Sequence, residues 1–263
     1  MAIIDVFTYN GEIDVLKIHL GELYDAVDKF VIVEAKTTFS GHQKPLYYSK
    51  QEKHVQKYWP KIEYFVVDEN YSPEEVELAQ HSPNTVGARH WVNEFLQKES
   101  IKKALLKVAP QNDDIIFIGD VDEIWDKTQY WDDIEGPIKL KLRVYAYWLN
   151  NLSSEDFAGT LVSQYKYIKN ECLNHLRSNS FKTSVPLGWH FTSMGGFEEV
   201  RRKLNDSYTP ESYNTAQVQQ MLKSRLENRL DYLGRPFTFQ LDETHWPSYL
   251  KQNRAKFSHL LLW

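Results

Sequence analysis

Ile115-Ile116-Phe117-Ile118-Gly119-Asp120-Val121-Asp122-Glu123 sets four consecutive apolar residues almost directly before three carboxylates. A short run that is apolar at every position, with no alternation, implies a strand buried on both faces, as in the centre of a parallel sheet. In open sheets of that kind ligands bind beyond the carboxyl ends of the strands, so the acidic turn stands where a site is expected. Two aspartates one residue apart are expected to point to the same side of the chain. Such a pair suits a hard divalent cation that also takes diphosphate oxygens, and the cation neutralises charge building on a departing diphosphate. Asp120 and Asp122 are therefore the first candidate metal ligands. Short acidic triplets are also ordinary solvated turns, and only the placement after an all-apolar strand sets this one apart.

Outward from that strand, the N-terminal side alternates strand and helix. Ile3 to Thr8 is apolar and rich in β-formers, and Asn10-Gly11 signals a turn. Ile13, Leu16, Leu20, Leu23 and Tyr24 then recur at helical spacing. Phe30 to Val33 and Tyr64 to Val67 are further apolar strands, separated by a polar loop from Thr37 to Lys44. Val86 to Val108 carries apolar residues at helical spacing and predicts one long amphipathic helix. On the C-terminal side Lys139 to Trp148 and Leu161 to Tyr167 predict strands of a mixed sheet, and Val218 to Leu230 a helix. The whole predicts an α/β fold: a single domain over 1–263, with a mostly parallel central sheet, flanking helices and a smaller mixed-sheet part. Within it, residues 1–125 are expected to form the half that binds a nucleotide-linked ligand and 126–263 the half that builds the acceptor side.

At 263 residues the chain is long enough to bury a full core. Its net charge of −5, with only short basic clusters such as Arg201-Arg202-Lys203, disfavours nucleic acid as the main partner. Cys172 is the one cysteine, which rules out an intrachain disulfide and fits a reducing compartment. No apolar run approaches the ~18 residues of a membrane span, and Met1 to Val6 reads as a first strand rather than a signal peptide. A cytoplasmic protein is expected. Aromatic residues make up 14% of the chain; they serve either core packing or stacking on sugars, and composition does not choose. Dinucleotide-binding, P-loop, serine-hydrolase and zinc-protease motifs are absent from the sequence.

Other candidate residues fall into three groups. Asn10, Glu12 and Glu34 lie at the ends of the first two strands, where a nucleotide would sit. Asn10 could equally cap a helix and Glu12 complement its dipole. Arg89, Asn93 and Gln97 are spaced by four and share a helix face, which also suits a solvated face carrying a Glu94–Lys98 pair. In Gly188-Trp189-His190-Phe191, His190 could ligate a metal and Trp189 could stack on a sugar, with His245 as a competing histidine. A base that deprotonates an acceptor hydroxyl should be a carboxylate within hydrogen-bond reach; Glu123, Glu94, Glu198 and Asp231 are candidates.

Taken in order, Phe7 to Glu12, Phe30 to Ala35, Thr38 to Gly41, Lys44-Pro45-Leu46, Trp91, Asn93, Glu94, Gln97, Gly119 to Ile124, Gly188 to Phe191, Asp231 and Arg235 resemble glycosyltransferase family 17. This is the family of the β-1,4-mannosyl-glycoprotein N-acetylglucosaminyltransferase. The resemblance implies a GT-A-like fold and inverting transfer of a sugar, N-acetylglucosamine, from a UDP-sugar to a glycan or other hydroxyl acceptor. It implies Mn²⁺ or Mg²⁺ as cofactor, held by Asp120 and Asp122 with His190 completing the shell. It also implies donor-side roles for Tyr9, Lys44, Asn93 and Gln97 beside Asn10, Glu12, Glu34, Asp120 and Trp189. Glu123, Asp231 and Glu94 are the catalytic candidates. Two departures stand out: the animal enzymes carry a membrane anchor that is not seen here, and Gly119 replaces an expected small polar residue. The alternatives are a nucleotidyltransferase on the same acidic site, a glycan-binding module without activity, and a glycosyltransferase acting on modified DNA bases. The first would carry a Gly- and basic-rich loop after the first strand, and Asn10-Gly11-Glu12 lacks it.

Overall fold

The computed structural model describes residues 1–82, 89–129, 131, 133, 134 and 136–263, and for Arg89 the backbone alone. The predicted helix start at Val86 therefore lies outside the described residues. In chain order the strands are β1 (Ile3–Thr8), β2 (Lys29–Glu34), β3 (Ile62–Val66), β4 (Ile115–Asp120), β5 (Glu123–Trp125), β6 (Ile138–Ala146), β7 (Asn151–Ser153), β8 (Phe157–Gln164), β9 (Phe181–Thr192) and β10 (Phe239–Leu241). The α-helices are α1 (Ile13–Leu23), α2 (Tyr47–Gln51), α3 (Pro73–His81), α4 (Arg89–Glu99), α5 (Ile101–Leu105), α6 (Leu173–Asn179), α7 (Phe197–Ser207), α8 (Ala216–Glu227) and α9 (Ser248–Gln252).

The fold is mixed α/β around one large central sheet. Its strand order is β10-β7-β6-β8-β4-β1-β2-β3, with β9 paired to β6 and β5 paired to β9. The block β4-β1-β2-β3 is parallel, in line with the unalternated apolar runs. The sheet changes character at β8, which runs antiparallel to β4. The acidic turn after β4 thus sits where the parallel block meets the mixed part.

Each face of the sheet buries its own core. Phe7, Phe30, Phe117 and Trp125 pack with Leu16 and Leu20 of α1 on one face. Val6, Val31 and Ile118 pack with Ile101 and Leu105 of α5 and Leu173 of α6 on the other. Phe117 stacks on Trp125 with ring centroids 4.0 Å apart, and Trp131 meets Phe117 edge-on at 5.2 Å. Trp125, Trp131, Trp189 and Trp246 are all buried, so for these rings the aromatic excess is core packing.

The long helix predicted to run to Val108 is divided: α4 ends at Glu99 and α5 begins at Ile101. Ser100 between them donates its hydroxyl to the carbonyl of Leu96 at 2.9 Å, a back-bond of the kind that bends helices. Among the described residues no helix is long and apolar enough to cross a membrane.

Candidate active site

The acidic turn is strapped between β1 and β9. Asp120 lies in register with Thr8, whose hydroxyl donates to Asp120 Oδ1 at 2.5 Å. Val121 N–H donates to the Thr8 carbonyl at 3.0 Å, and Phe191 N–H to the Asp122 carbonyl at 2.8 Å. Glu123 in β5 pairs with His190 in β9. These contacts aim Asp120, Asp122 and Glu123 into a cavity of about 330 Å³. Tyr9, Asn10, Glu12, Lys44, Glu94, Gln97 and His190 also line it.

Cations from three helices meet the acids there. On one side Lys98 of α4 bridges Glu94 Oε1 (2.6 Å) and Asp120 Oδ2 (3.4 Å), so the Glu94–Lys98 pair expected of a solvated face forms at the cavity instead. Arg177 of α6 lies 3.7 Å from Asp120 Oδ2 and 3.4 Å from Glu123 Oε1. On the other side Lys203 of α7 holds Asp122 Oδ2 at 2.6 Å, with His190 Nε2 3.5 Å from the same oxygen. Burial opposes charge on Asp120, but Lys98 and Arg177 outweigh it and bring the carboxyl down to about 2. Burial is likewise outweighed at Asp122, where Lys203 and His190 hold the carboxyl far below the usual carboxylate range. Lys139 also lines the cavity; burial and the neighbouring Arg177 bring its ammonium down to about 8.

Glu123 differs from both aspartates. It is 2% exposed and hydrogen-bonded by the Thr160 hydroxyl at 3.1 Å. Burial raises its carboxyl above the ordinary range; Arg177 opposes that shift and Asp120 adds to it. Two glycines make room for it. A Cβ at Gly159 would come within 2.5 Å of Glu123 Cδ, and one at Gly119 within 2.9 Å of Glu123 Oε2 and 3.0 Å of Thr160 Oγ1. That contact is the physical reason for the glycine at 119, where a polar residue was expected.

The expected metal trio, Asp120, Asp122 and His190, lines this one cavity. Two carboxylates and an imidazole are suitable donors for Mn²⁺. Here Asp120 and Asp122 turn to different cation partners, and among the described residues no three such side chains form a ready-made metal cluster. Asp120, Asp122 and His190 are the residues that would hold a divalent cation in this cavity, where it would neutralise charge on a departing diphosphate.

Other predicted residues have different neighbours from those expected. Glu34 is buried and does not line the cavity; it accepts from the backbone N–H of Tyr47 (2.6 Å) and Tyr48 (3.0 Å), from the Tyr64 hydroxyl (2.9 Å) and from Lys44 Nζ (3.1 Å). It anchors the start of α2, and Lys44 reaches the cavity edge from that anchor. Asp231 is also off the cavity, gripped by Arg235 through Nη2 at 2.7 Å and Nε at 3.1 Å. Trp189 is packed in the core, its indole N–H bonded to the His245 carbonyl. It cannot share a direction with His190, since neighbours in a strand face opposite sides. His245 is exposed and paired with Asp242. Asn93 and Gln97 hold the loop over the cavity, donating to the carbonyls of Phe39 (2.8 Å) and Thr37 (3.1 Å). The side chain of Arg89 lies outside the described residues. Asn10 does not cap α1; its amide donates to Asp206 at 3.0 Å, and its carbonyl accepts from Arg202 at 3.1 Å. Sequence reasoning missed Thr8, Lys139, Phe157, Thr160, Arg177 and Lys203 as members of the site. Only Lys203 carried a signal, in the short basic cluster on what proves to be α7.

Residues 1–225 match the model of glycosyltransferase family 17, and the chain belongs to that family. No curated protein sequence matches it. Two solved structures show a distant likeness. The CTP:phosphocholine cytidylyltransferase from Streptococcus pneumoniae is 7% identical, with 77% of this chain and 97% of that chain covered and a TM-score of 0.34. The inositol-1-phosphate CTP transferase from T. maritima is 13% identical, with 87% and 97% covered and a TM-score of 0.32. Family membership makes the protein a glycosyltransferase; likenesses at these TM-scores carry no argument.

Proposed function

We propose that the protein is an inverting glycosyltransferase that moves N-acetylglucosamine from UDP-N-acetylglucosamine to a hydroxyl of a glycan or other acceptor, with Glu123 as the general base. The observation that carries this is the buried Glu123 carboxyl, raised by burial and seated between two glycines in a cavity it shares with Lys98, Arg177 and Lys203. A base of raised pKa suits proton abstraction near neutral pH. Glu123 takes the acceptor hydroxyl proton as that oxygen attacks the anomeric carbon. The bond from that carbon to the donor diphosphate breaks, and its electron pair leaves on the UDP oxygen. Attack from the face opposite the leaving group inverts the anomeric centre. Fixed cations facing charge that develops in a water-poor site are effective stabilisers, and Lys98, Arg177 and Lys203 take that role. The choice of UDP-N-acetylglucosamine rests on the family. A cytoplasmic location belongs to the same reading, supported by the single cysteine.

The test is a turnover screen across UDP-, GDP- and TDP-sugars, with chelator and with Mn²⁺. UDP-N-acetylglucosamine should be consumed, and Glu123→Gln should lower kcat by at least about 100-fold while calorimetry still registers UDP. Turnover of another nucleotide sugar alone would reassign the donor. Full activity in Glu123→Gln would remove the base, and turnover abolished by chelator would assign a divalent cation to the aspartates.

A further inference from the structure

Asp5 is a carboxylate in the middle of an otherwise apolar strand, Ile3-Ile4-Asp5-Val6-Phe7. It is 2% exposed and faces the same side of the sheet as Phe7. Burying such a group is costly unless it is fully partnered. Its partners are specific. His19 of α1, 1% exposed, sets Nε2 2.9 Å from Asp5 Oδ2, and the indole N–H of Trp125 donates to the same oxygen at 3.1 Å. His19 Nδ1 lies 2.8 Å from the backbone carbonyl of Val121. A carbonyl can only accept, so Nδ1 carries a proton and the ring is held in one orientation. The Phe7 ring packs against it with centroids 4.3 Å apart.

The two groups held in this way bracket the chemistry. Val121 stands between Asp120 and Asp122, and Trp125 comes two residues after Glu123. We infer that Asp5 and His19 are positioning residues: through the Val121 carbonyl and the Trp125 indole they fix the turn that presents Asp120, Asp122 and Glu123 to the cavity. Fold stability alone does not call for this arrangement, because well-packed apolar side chains often replace buried charged groups without loss. Geometry does call for it. The Val121 carbonyl is buried beneath the turn with His19 as its side-chain donor, and catalysis is sensitive to displacements near 1 Å. The inference rests on the glycosyltransferase reading of the cavity, so its test needs a readout that does not depend on turnover.

Three variants suffice for that test. His19→Leu removes both bonds and keeps apolar volume. His19→Asn can place an amide nitrogen where Nδ1 stood, restoring the donor to Val121 but not the link to Asp5. Trp125→Phe removes only the indole donor and serves if His19→Leu fails to fold. The readouts are the backbone amide resonances of residues 120–123, the thermal melt, and kcat and KM for the UDP-sugar. His19→Leu should shift those amides and lower kcat about 100-fold, with donor KM changed by less than about threefold. His19→Asn should recover the amide positions and most of kcat even if its melt stays low, which a purely structural role would not give. Trp125→Phe should shift the amides of Asp122 and Glu123 and lower kcat about tenfold. Unshifted amides in a folded His19→Leu or Trp125→Phe, or equal kcat in His19→Leu and His19→Asn, would overturn the inference. A wild type that consumes no nucleotide sugar defeats the functional reading instead, and the amide shifts still decide the positioning role.

Discussion

At the residue scale the site is governed by how little space Glu123 has. Gly159→Ala places a methyl 2.5 Å from Glu123 Cδ and 2.6 Å from Phe157 Cε1. The carboxylate must move, so kcat should fall at least about tenfold, and overpacking should destabilise the fold by about 1–3 kcal/mol. Kinetics beside a thermal melt measures both; a variant with unchanged kcat removes the constraint. The pH profile of kcat/KM reads the same group, since it reports the free enzyme. Glu123 acts deprotonated and its pKa is raised, so the acid limb should lie above the ordinary glutamate value of about 4.3. Arg177 opposes that shift, so Arg177→Met should move the limb to higher pH. Lys139 loses its charge through about 8; an alkaline fall there should disappear in Lys139→Arg. A limb that stays in place in Arg177→Met separates Glu123 from it.

At the element scale, several charged residues prove to be struts. Glu34 at the end of β2 holds the first two backbone N–H groups of α2, the Tyr64 hydroxyl and Lys44. Glu34→Ala strands a buried ammonium and two amides, so the loss should be at least about 2 kcal/mol. For a chain near this size that lowers the melting temperature by about 4–8 °C. A melt within about 1 °C of wild type, as an order-of-magnitude limit on the same scale, argues against the strut. The sequence marked Glu34 as a strand-end carboxylate, and so it is; its four donors come from residues 44, 47, 48 and 64, whose positions depend on α2 and β3 packing. The segment from Gly188 to Phe191 shows the reverse. Strand alternation allows only one of Trp189 and His190 to face the cavity, and this follows once the segment is placed inside β9.

For the whole molecule the acidic turn couples stability to pH. The Asp120 carboxyl is depressed to about 2 in the fold, against about 3.9 in an unfolded chain. A depressed carboxyl contributes stability that is fully present above the unfolded value and lost as pH falls through the folded one. Asp122 extends the same loss to lower pH. Melts between pH 2 and 7 should therefore fall steeply below about 4, and Asp122→Asn should be less steep. Equal slopes in the two proteins would mean that the ion pairs of the turn do not carry this dependence.

What the sequence determined by itself is local. The apolar runs mark β1, β2 and β4 as strands buried on both faces, the pattern typical of a central parallel sheet. The chain order then puts Asp120, Asp122 and Glu123 at a strand end beside Thr8. What only the tertiary structure decided is who stands opposite those acids. Arg177 and Lys203 come from α6 and α7, and Asp5 and His19 grip the turn from the far side of the sheet. The basic cluster around Lys203 and the apolar strand around Asp5 set those two apart locally, but nothing names their partners, because a side chain's partner across the molecule is set by the packing of whole helices on the sheet. The same packing gives Asp120 and Asp122 different side-chain partners, Lys98 and Arg177 for the one and Lys203 for the other.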